Sequence, residues 1–262
     1  MTRTFSFLKI NQSRIATFDV FAVGLNKHHV SAMLEFDVTE SRKKLREVRR
    51  KGIKVSFNAW LIKVISKALV IHPETAAYLY SKRKLIVFND INISMVVEKE
   101  VDGCKVPIPL VLEKTNDKSI EAITEEIEKA KNQHLTKEDI VLNRKTKLYE
   151  KVYYHLPGFL RRHFWKYLLH HPKTAYKLMG NVAITSLGMM GKINGWFIHK
   201  SVHPISFGIG SVLQKPTVNN GEIQIREILN MTILIDHDVV DGAPMAKFLN
   251  DLTDFIEKGE GL

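Results

Sequence analysis

Cysteine is almost absent. The 262 residues hold one, Cys104, which excludes an intrachain disulfide framework and any zinc site built from several thiolates. Glycine, at 14 residues, nowhere forms a phosphate-cradling loop after a strand, so nothing points to a nucleotide fold. Long apolar runs are missing too: the best, Phe57 to Ile71, is broken by Lys63 and Lys67 and falls short of a bilayer span. The opening MTRTFSFLKINQSR lacks the apolar core of a secretory leader, and a cytoplasmic protein is expected. Repeats, low-complexity tracts and Gly/Ser linkers are also lacking. The chain is 45% hydrophobic and 26% charged, which is an ordinary globular balance. A chain this long buries roughly 70–75% of its unfolded surface and needs no metal or disulfide to fold.

Acidic residues are the minority, 28 against 39 Lys/Arg, for a formal charge of +11. The excess is concentrated. From Arg144 to Gly180 there are nine Lys/Arg and one acid, Glu150, giving +8 and leaving +3 for the rest of the chain. Eight aromatics share that segment, among them Tyr153, Phe159, Phe164, Trp165 and Tyr167. Cations interleaved with aromatics suit phosphate contacts with base stacking, an anionic membrane surface, or a pocket for a phosphate-bearing cofactor. The plain alternative is a pair of amphipathic helices with aromatics packed inward and lysines in water. No nucleic-acid fold motif accompanies the segment, which disfavours nucleic acid as a partner. A second charge run, Arg42 to Lys54, reads as the solvated face of a short helix.

Periodicity gives the remaining outline. Val30–Val38 alternates as a strand, and Thr39 is placed to cap the charged helix that follows. Phe57–Ile71 has helical spacing. Strands are expected at Asn92–Lys99 and Lys105–Leu112, joined by a tight turn at Asp102-Gly103. A helix opens at Asp117 or Ser119 and runs to about Gln133, and Thr136 to Asp139 resembles a capping box for another. Three strand candidates follow, Val182–Leu187, Ile205–Leu213 and Ile223–Ile235, and an amphipathic helix over Ala243–Glu257 closes the chain. Strands and helices mix without strict alternation. The predicted class is α+β: a two-layer sandwich with a mixed, largely antiparallel sheet under helices. The whole chain, 1–262, reads as one domain with the basic aromatic segment at about 144–180 as an insertion.

The informative stretch is Ile233-Leu-Ile-Asp-His-Asp-Val-Val-Asp-Gly-Ala-Pro244. An apolar strand ends, His237 appears at once, and Asp241-Gly242 leads into a helix. An imidazole at a strand terminus can be held rigidly while facing a cleft. Asp241 sits where a carboxylate accepts helix N–H groups or pairs with a cation. The hydroxyl-rich strand end Ala183-Ile-Thr-Ser-Leu-Gly188 supplies a second polar element.

These motifs resemble the acyltransferase catalytic core of 2-oxoacid dehydrogenase complexes and the related chloramphenicol acetyltransferases. The family pattern D-H-R-x-x-D-G-A matches Asp236-His-Asp-Val-Val-Asp-Gly-Ala243, and a T-I-S-N-L-G-like strand matches Ala183 to Gly188. Phe57–Leu69 resembles the family's first long helix, Asp90–Ser94 the strand after it, and Asp102–Pro107 its D-G-L-x-x-P hairpin. The resemblance covers most of the chain from about residue 10, except Arg144–Gly180.

It implies a homotrimer with active sites between subunits and acyl transfer to or from coenzyme A. His237 would be the general base toward the thiol: a neutral imidazole of pKa about 6.5 can take a proton from a thiol near 8.5. Thr185 stands where the family has its oxyanion-stabilising serine. Asp241 matches the family aspartate, for which Arg14 is a candidate ion-pair partner, and Ser186 and Gly242 would touch substrate. The resemblance implies CoA or acyl-CoA as substrate and no metal. Asp238 departs from the family pattern by replacing arginine beside the base. No lipoyl domain, lipoylated lysine or subunit-binding domain is read in the sequence, so the acyl partner is expected to be a small-molecule acceptor or a separate lipoyl protein. An idle scaffold of the same fold, meeting an anionic surface through 144–180, is the third reading.

Overall fold

The computed structural model describes residues 5–8, 10, 13–101, 104–132, 152–187, 191, 193–219 and 221–262. The turn expected at Asp102-Gly103, the capping box at Thr136–Asp139 and the insertion before residue 152 lie outside them. A helix α1 (Ser13–Gly24) leads into β1 (His29–Asp37), followed by α2 (Thr39–Arg50) and α3 (Phe57–Ile71). A small hairpin, β2 (Tyr78–Ser81) and β3 (Lys84–Ile86), precedes the β4 (Ile93–Val101) and β5 (Cys104–Leu112) pair and α4 (Ile120–Asn132). The second half runs α5 (Gly158–His170), α6 (Pro172–Met179), β6 (Val182–Ser186), β7 (Ile205–Asn219), β8 (Glu222–Asp236) and α7 (Gly242–Lys258). No helix among the described residues is long and apolar enough to cross a membrane.

The main sheet has six strands in the order β1-β8-β7-β6-β4-β5. Neighbours are antiparallel except β7–β6 and β6–β4, which are parallel. The class is therefore α+β with a mixed sheet, as the pattern predicts. One face carries the core: Val182 and Ile184, Ile205, Phe207 and Ile209, and Met231, Ile233 and Ile235 pack against α3, α4 and α7. Side chains alternate along a strand, so Thr185, Ser206, Gly208 and Thr232 point to the other face.

Local chemistry explains the helix starts. Ser56 caps α3, its Oγ accepting the Ala59 N–H at 3.1 Å, and Ser119 does the same for Ala122 at 3.2 Å. Thr39 is not a cap. It is the first residue of α2, and Asp37 Oδ1 accepts both its N–H and its hydroxyl, at 3.0 and 2.6 Å. β7 runs on to Asn219, six residues past its expected end, whereas β8 lies within one residue of expectation at each end; beyond Ile209 and Ile228 the two strands pair only with each other. Pro216 is tolerated there since β7 has a partner on one side only. The resulting arm carries Val218, Ile223 and Ile225 about three-quarters exposed.

The basic segment divides its aromatics. A second small core joins it to the β2–β3 hairpin, with Tyr78, Leu168 and Ala175 buried and Trp165 and Tyr176 packed on them. The Tyr176 ring stacks on Phe88 at 3.8 Å. Phe159, Phe164 and Tyr167 stay exposed.

Gly180 ties this segment to the main sheet. Its φ of +73° with ψ of −170° belongs to a region that only glycine occupies readily, and a Cβ there would lie 2.3 Å from the Asn92 carbonyl oxygen. That carbonyl accepts the N–H groups of Asn181 and Val182. Gly180→Ala is expected to cost about 3 kcal/mol, read as a lower urea midpoint at unchanged m-value.

Candidate active site

His237 lies just past the end of β8 and is exposed. Its position is fixed from both sides. Its own N–H donates to the His28 carbonyl at 3.0 Å, and the Asp236 carbonyl accepts the N–H groups of Val239 and Val240 at 3.0 and 3.2 Å. The fully buried Asp236 carboxylate accepts Lys27 Nζ at 2.5 Å and the Asp238 N–H at 3.3 Å. The turn bearing the imidazole is thus nailed to the segment joining α1 to β1. Asp238 accepts His28 Nδ1 at 2.9 Å on the exposed side, so the residue replacing the family arginine is engaged with a neighbouring imidazole.

Beneath this turn runs a line of half-buried and buried histidines. His29 Nε2 donates to the His203 carbonyl at 2.9 Å, and His203 Nε2 donates to the Met179 carbonyl at 2.9 Å. Ser201 Oγ lies 3.3 Å from His203 Nδ1 and accepts the His203 N–H. Burial pushes the His203 pKa down to about 4, against the opposing effect of its bond to Met179. Burial also lowers His29.

Asp241 is the N-cap residue of α7, but its side chain makes no capping bond and stays exposed. Arg14, on exposed α1, forms no ion pair with it among the described residues, so the expected Arg14–Asp241 pair is not present in one copy of the chain. The carboxylate that α1 does anchor is Asp19, buried, accepting Arg161 Nε at 2.6 Å and the Tyr153 hydroxyl at 2.9 Å. Gly242 starts α7 in open space, with nothing within 4 Å of where a Cβ would stand.

Thr185 and Ser186 lie elsewhere. The register aligns Thr185 with Gly208 and Gly208 with Thr232. From Thr232 to Asp236 is four residues, about 13 Å, and from β8 to β6 is two strand spacings, about 10 Å, so Thr185 is about 16 Å from Asp236. His237 is one residue further. The hydroxyl and the imidazole do not meet within one chain.

On the outward face His199 lies over Gly208, its Nδ1 2.8 Å from where a Cβ would be. Its Nε2 is 2.8 Å from Ser206 Oγ, while its Nδ1 and the Thr232 Oγ1 are buried without partners. Burial lowers the His199 pKa to about 4, with a smaller push from His29. This polar cluster beside Thr185 was not read from the sequence, because His199, Ser206 and Thr232 meet only through strand register.

On the helix side a cavity of about 580 Å³ is lined by Ser186, Gly191 and Ser211 and by Arg42, Arg46 and Arg49 of α2. The arginines, expected as a solvated face, share a helix face at i, i+4 and i+7. Glu227 holds Arg42 at 2.9 Å and Arg46 at 3.4 Å, and Arg49 Nε donates to the Val55 carbonyl at 2.8 Å. Among the described residues no three His, Cys, Asp or Glu side chains gather to hold a metal ion.

Two stability measurements test the anchoring of the His237 turn. Lys27→Met leaves the Asp236 carboxylate buried without its cation and is expected to cost about 3–5 kcal/mol, most of it recovered in Lys27→Met/Asp236→Asn, read by chemical denaturation. A ring with a folded pKa near 4 and an unfolded pKa near 6.5 stabilises the fold fully above pH 6.5 and loses that contribution as pH falls toward 4. At pH 5 the loss from His203 is about 2 kcal/mol. Urea midpoints at pH 7.5, 6 and 5 should fall on acidification, and more shallowly in His203→Asn.

Comparison with known proteins agrees with this architecture. The family described as 2-oxoacid dehydrogenases acyltransferase (catalytic domain) matches residues 8–142 and 178–262, skipping 143–177. The lipoamide acyltransferase component of the branched-chain alpha-keto acid dehydrogenase complex of Bacillus subtilis (strain 168) is 24% identical over 239 residues, 87% of this chain and 46% of that protein. The chain spans less than half the length of that relative. A crystal structure of a probable dihydrolipoamide acetyltransferase from Listeria monocytogenes superposes with a TM-score of 0.68 at 21% identity, over 98% of this chain and 96% of that one. A chloramphenicol acetyltransferase shares the fold at a TM-score of 0.50 and 11% identity, over 98% of this chain and all of that one. With a family match spanning most of its length, this chain belongs to the acyltransferase catalytic domains of the 2-oxoacid dehydrogenases.

Proposed function

We propose that the chain is a CoA-dependent acyltransferase whose site is completed between copies, with His237 of one copy facing Thr185 of the next. The observation that carries this reading is the arginine-lined cavity that includes Ser186, the residue after Thr185, in its wall. Guanidinium groups suit phosphate oxygens through paired N–H donors, and three on one helix face match a ligand bearing several phosphates. Thr185, the residue before Ser186, points to the opposite face of the sheet and has no protein partner among the described residues, so a ligand chain leaving the cavity must pass round the end of β6 to reach its hydroxyl.

His237, exposed and held by its backbone, removes the proton of the attacking thiol or acceptor and returns it to the leaving group. Thr185 donates its hydroxyl to the oxygen of the acyl carbonyl as negative charge develops there. Asp241 and Gly242 shape the turn that presents His237, and the acceptor comes to the same opening. A homotrimer, built in part on the apolar β7–β8 arm, brings the two halves together. Exposed apolar side chains on a protruding hairpin are a common basis for such contacts. A separate lipoyl protein as acyl donor is the second reading, favoured by the family to which the chain belongs.

His237→Ala is expected to lower turnover by ~10²–10⁴ and Thr185→Ala by ~10²–10³, assayed with acetyl-CoA and dihydrolipoamide or small-molecule acceptors. Because the halves come from different copies, denaturing and refolding the two inactive variants together should restore part of the activity. A mixture as inactive as its components would refute the shared site. Arg42→Glu should raise KM for acyl-CoA with little change in kcat.

A further inference from the structure

The stretch skipped by the family match carries a surface that acyl transfer leaves without a task. Residues 152–180 hold five Lys/Arg and no Asp or Glu. Arg161 is paired with Asp19, whereas Arg162, Lys166, Lys173 and Lys177 are exposed with no carboxylate partner among the described residues. At 100° per residue, Trp165 and Leu168 of α5 turn toward the protein with Arg161. On the solvent side Leu160, Phe164 and Tyr167 form one stripe at i, i+4 and i+7 and Arg162 and Lys166 a second, about 150° round the helix, with Phe159 on the exposed arc between them. Phe159 is 64% exposed, Tyr167 53%, and Leu178 of α6 56%, so this is not the polar face that a water-facing helix presents.

The topology also places these helices. Gly180 and Asn181 lead directly from α6 into β6, whose first residue, Val182, pairs with Ile205, which in turn faces Ile235. His237 follows two residues later. The helix α1, bonded to α5 through Asp19, feeds β1 where His29 faces Asp236. The basic aromatic helices therefore stand at the His237 end of the sheet.

We propose that α5 and α6 dock the protein onto an anionic lipid surface. Phenylalanine and leucine side chains enter the headgroup boundary while the flanking cations meet lipid phosphates. Nucleic acid would satisfy the cations but offers no apolar medium for Leu160 and Leu178, and a second copy meeting the same face would bring like charges together. Docked this way, the protein turns its His237 end toward the membrane.

Flotation of the full chain with phosphatidylcholine vesicles, with and without phosphatidylglycerol, tests this. Binding is expected on the mixed vesicles, falling steeply with salt, and absent on phosphatidylcholine alone. Each basic residue near an anionic leaflet contributes about fivefold in affinity, so Arg162→Glu/Lys166→Glu/Lys177→Glu should weaken binding by at least about 100-fold. Phe159→Ser/Phe164→Ser should weaken it about tenfold or more without changing the oligomer size, both variants keeping the wild-type thermal midpoint. The proposal is overturned if the full chain ignores anionic vesicles at low salt, or if the charge-reversed variant binds them as well as the parent. It is equally overturned if the phenylalanine variant changes the assembly state, or if duplex DNA competes fully and the phenylalanines prove irrelevant.

Discussion

The pairing of β7 governs the arrangement of the rest. It runs parallel to β6 on one side and antiparallel to β8 on the other, so the C-terminal ends of β6 and β8 lie at opposite ends of the sheet. Thr185 and Ser186 close the first strand and His237 follows the second. No side-chain rotation spans a gap set by strand rise and spacing. On the proposed shared site, each copy holds its two halves at opposite ends of one sheet, and chemistry that needs both makes folding, assembly and activity one coupled problem. The exposed apolar arm at the tips of β7 and β8 fits the same proposal, since copies that share a site need a surface on which to meet.

The His237 end is built unlike the rest of the core. Where the helix face of the sheet is aliphatic, this end buries a lysine, an aspartate and a histidine chain, with Lys27–Asp236 and His29–His203–Met179 as its bonds. Buried polar groups are tolerated when each finds a partner and are costly when one is lost. The return is positional. The Asp236 bonds and the His28 carbonyl hold the backbone of the turn, so the imidazole is presented without any side-chain contact of its own being needed. The same bonds involve four parts of the chain distant in sequence: the segment joining α1 to β1, the end of α6, the segment before β7 and the end of β8.

Much of this was legible in the sequence where the signal is local. The end of the apolar strand at Asp236, the histidine after it and the helix beyond Gly242 all follow from periodicity and turn residues within a dozen positions. The helix α1 was not legible, because SRIATFDVFAVG is apolar nearly all round with only Arg14 and Asp19 charged, leaving no stripe to count. The arginines of α2 looked like a solvated face because spacing shows only that they share a side. What encloses them, Glu227, the end of β6 and the middle of β7, comes from more than a hundred residues away. Asp241 read as a capping or ion-paired carboxylate from its position alone, yet the α7 N-terminus leaves its side chain unbonded. That difference arises in tertiary placement, which spacing does not encode.

Net charge is a poor guide to what this protein meets, because its positive charge is organised in two physically distinct ways. The three arginines of α2 line a concave space and are oriented by Glu227 and the Val55 carbonyl. Pre-oriented guanidinium groups in a recess select for shape and phosphate geometry and lose little side-chain entropy on binding. Apart from Arg161, the cations of α5 and α6 are exposed on long flexible stems, unpaired among the described residues and interspersed with aromatic rings. Such charges select only for the sign of a field and are screened within about a Debye length, so they gain most against an extended surface that also accepts apolar side chains. A discrete polyanion and a charged plane thus call for different constructions, and this chain holds both, one within the residues that the family match covers and one in the stretch that it skips.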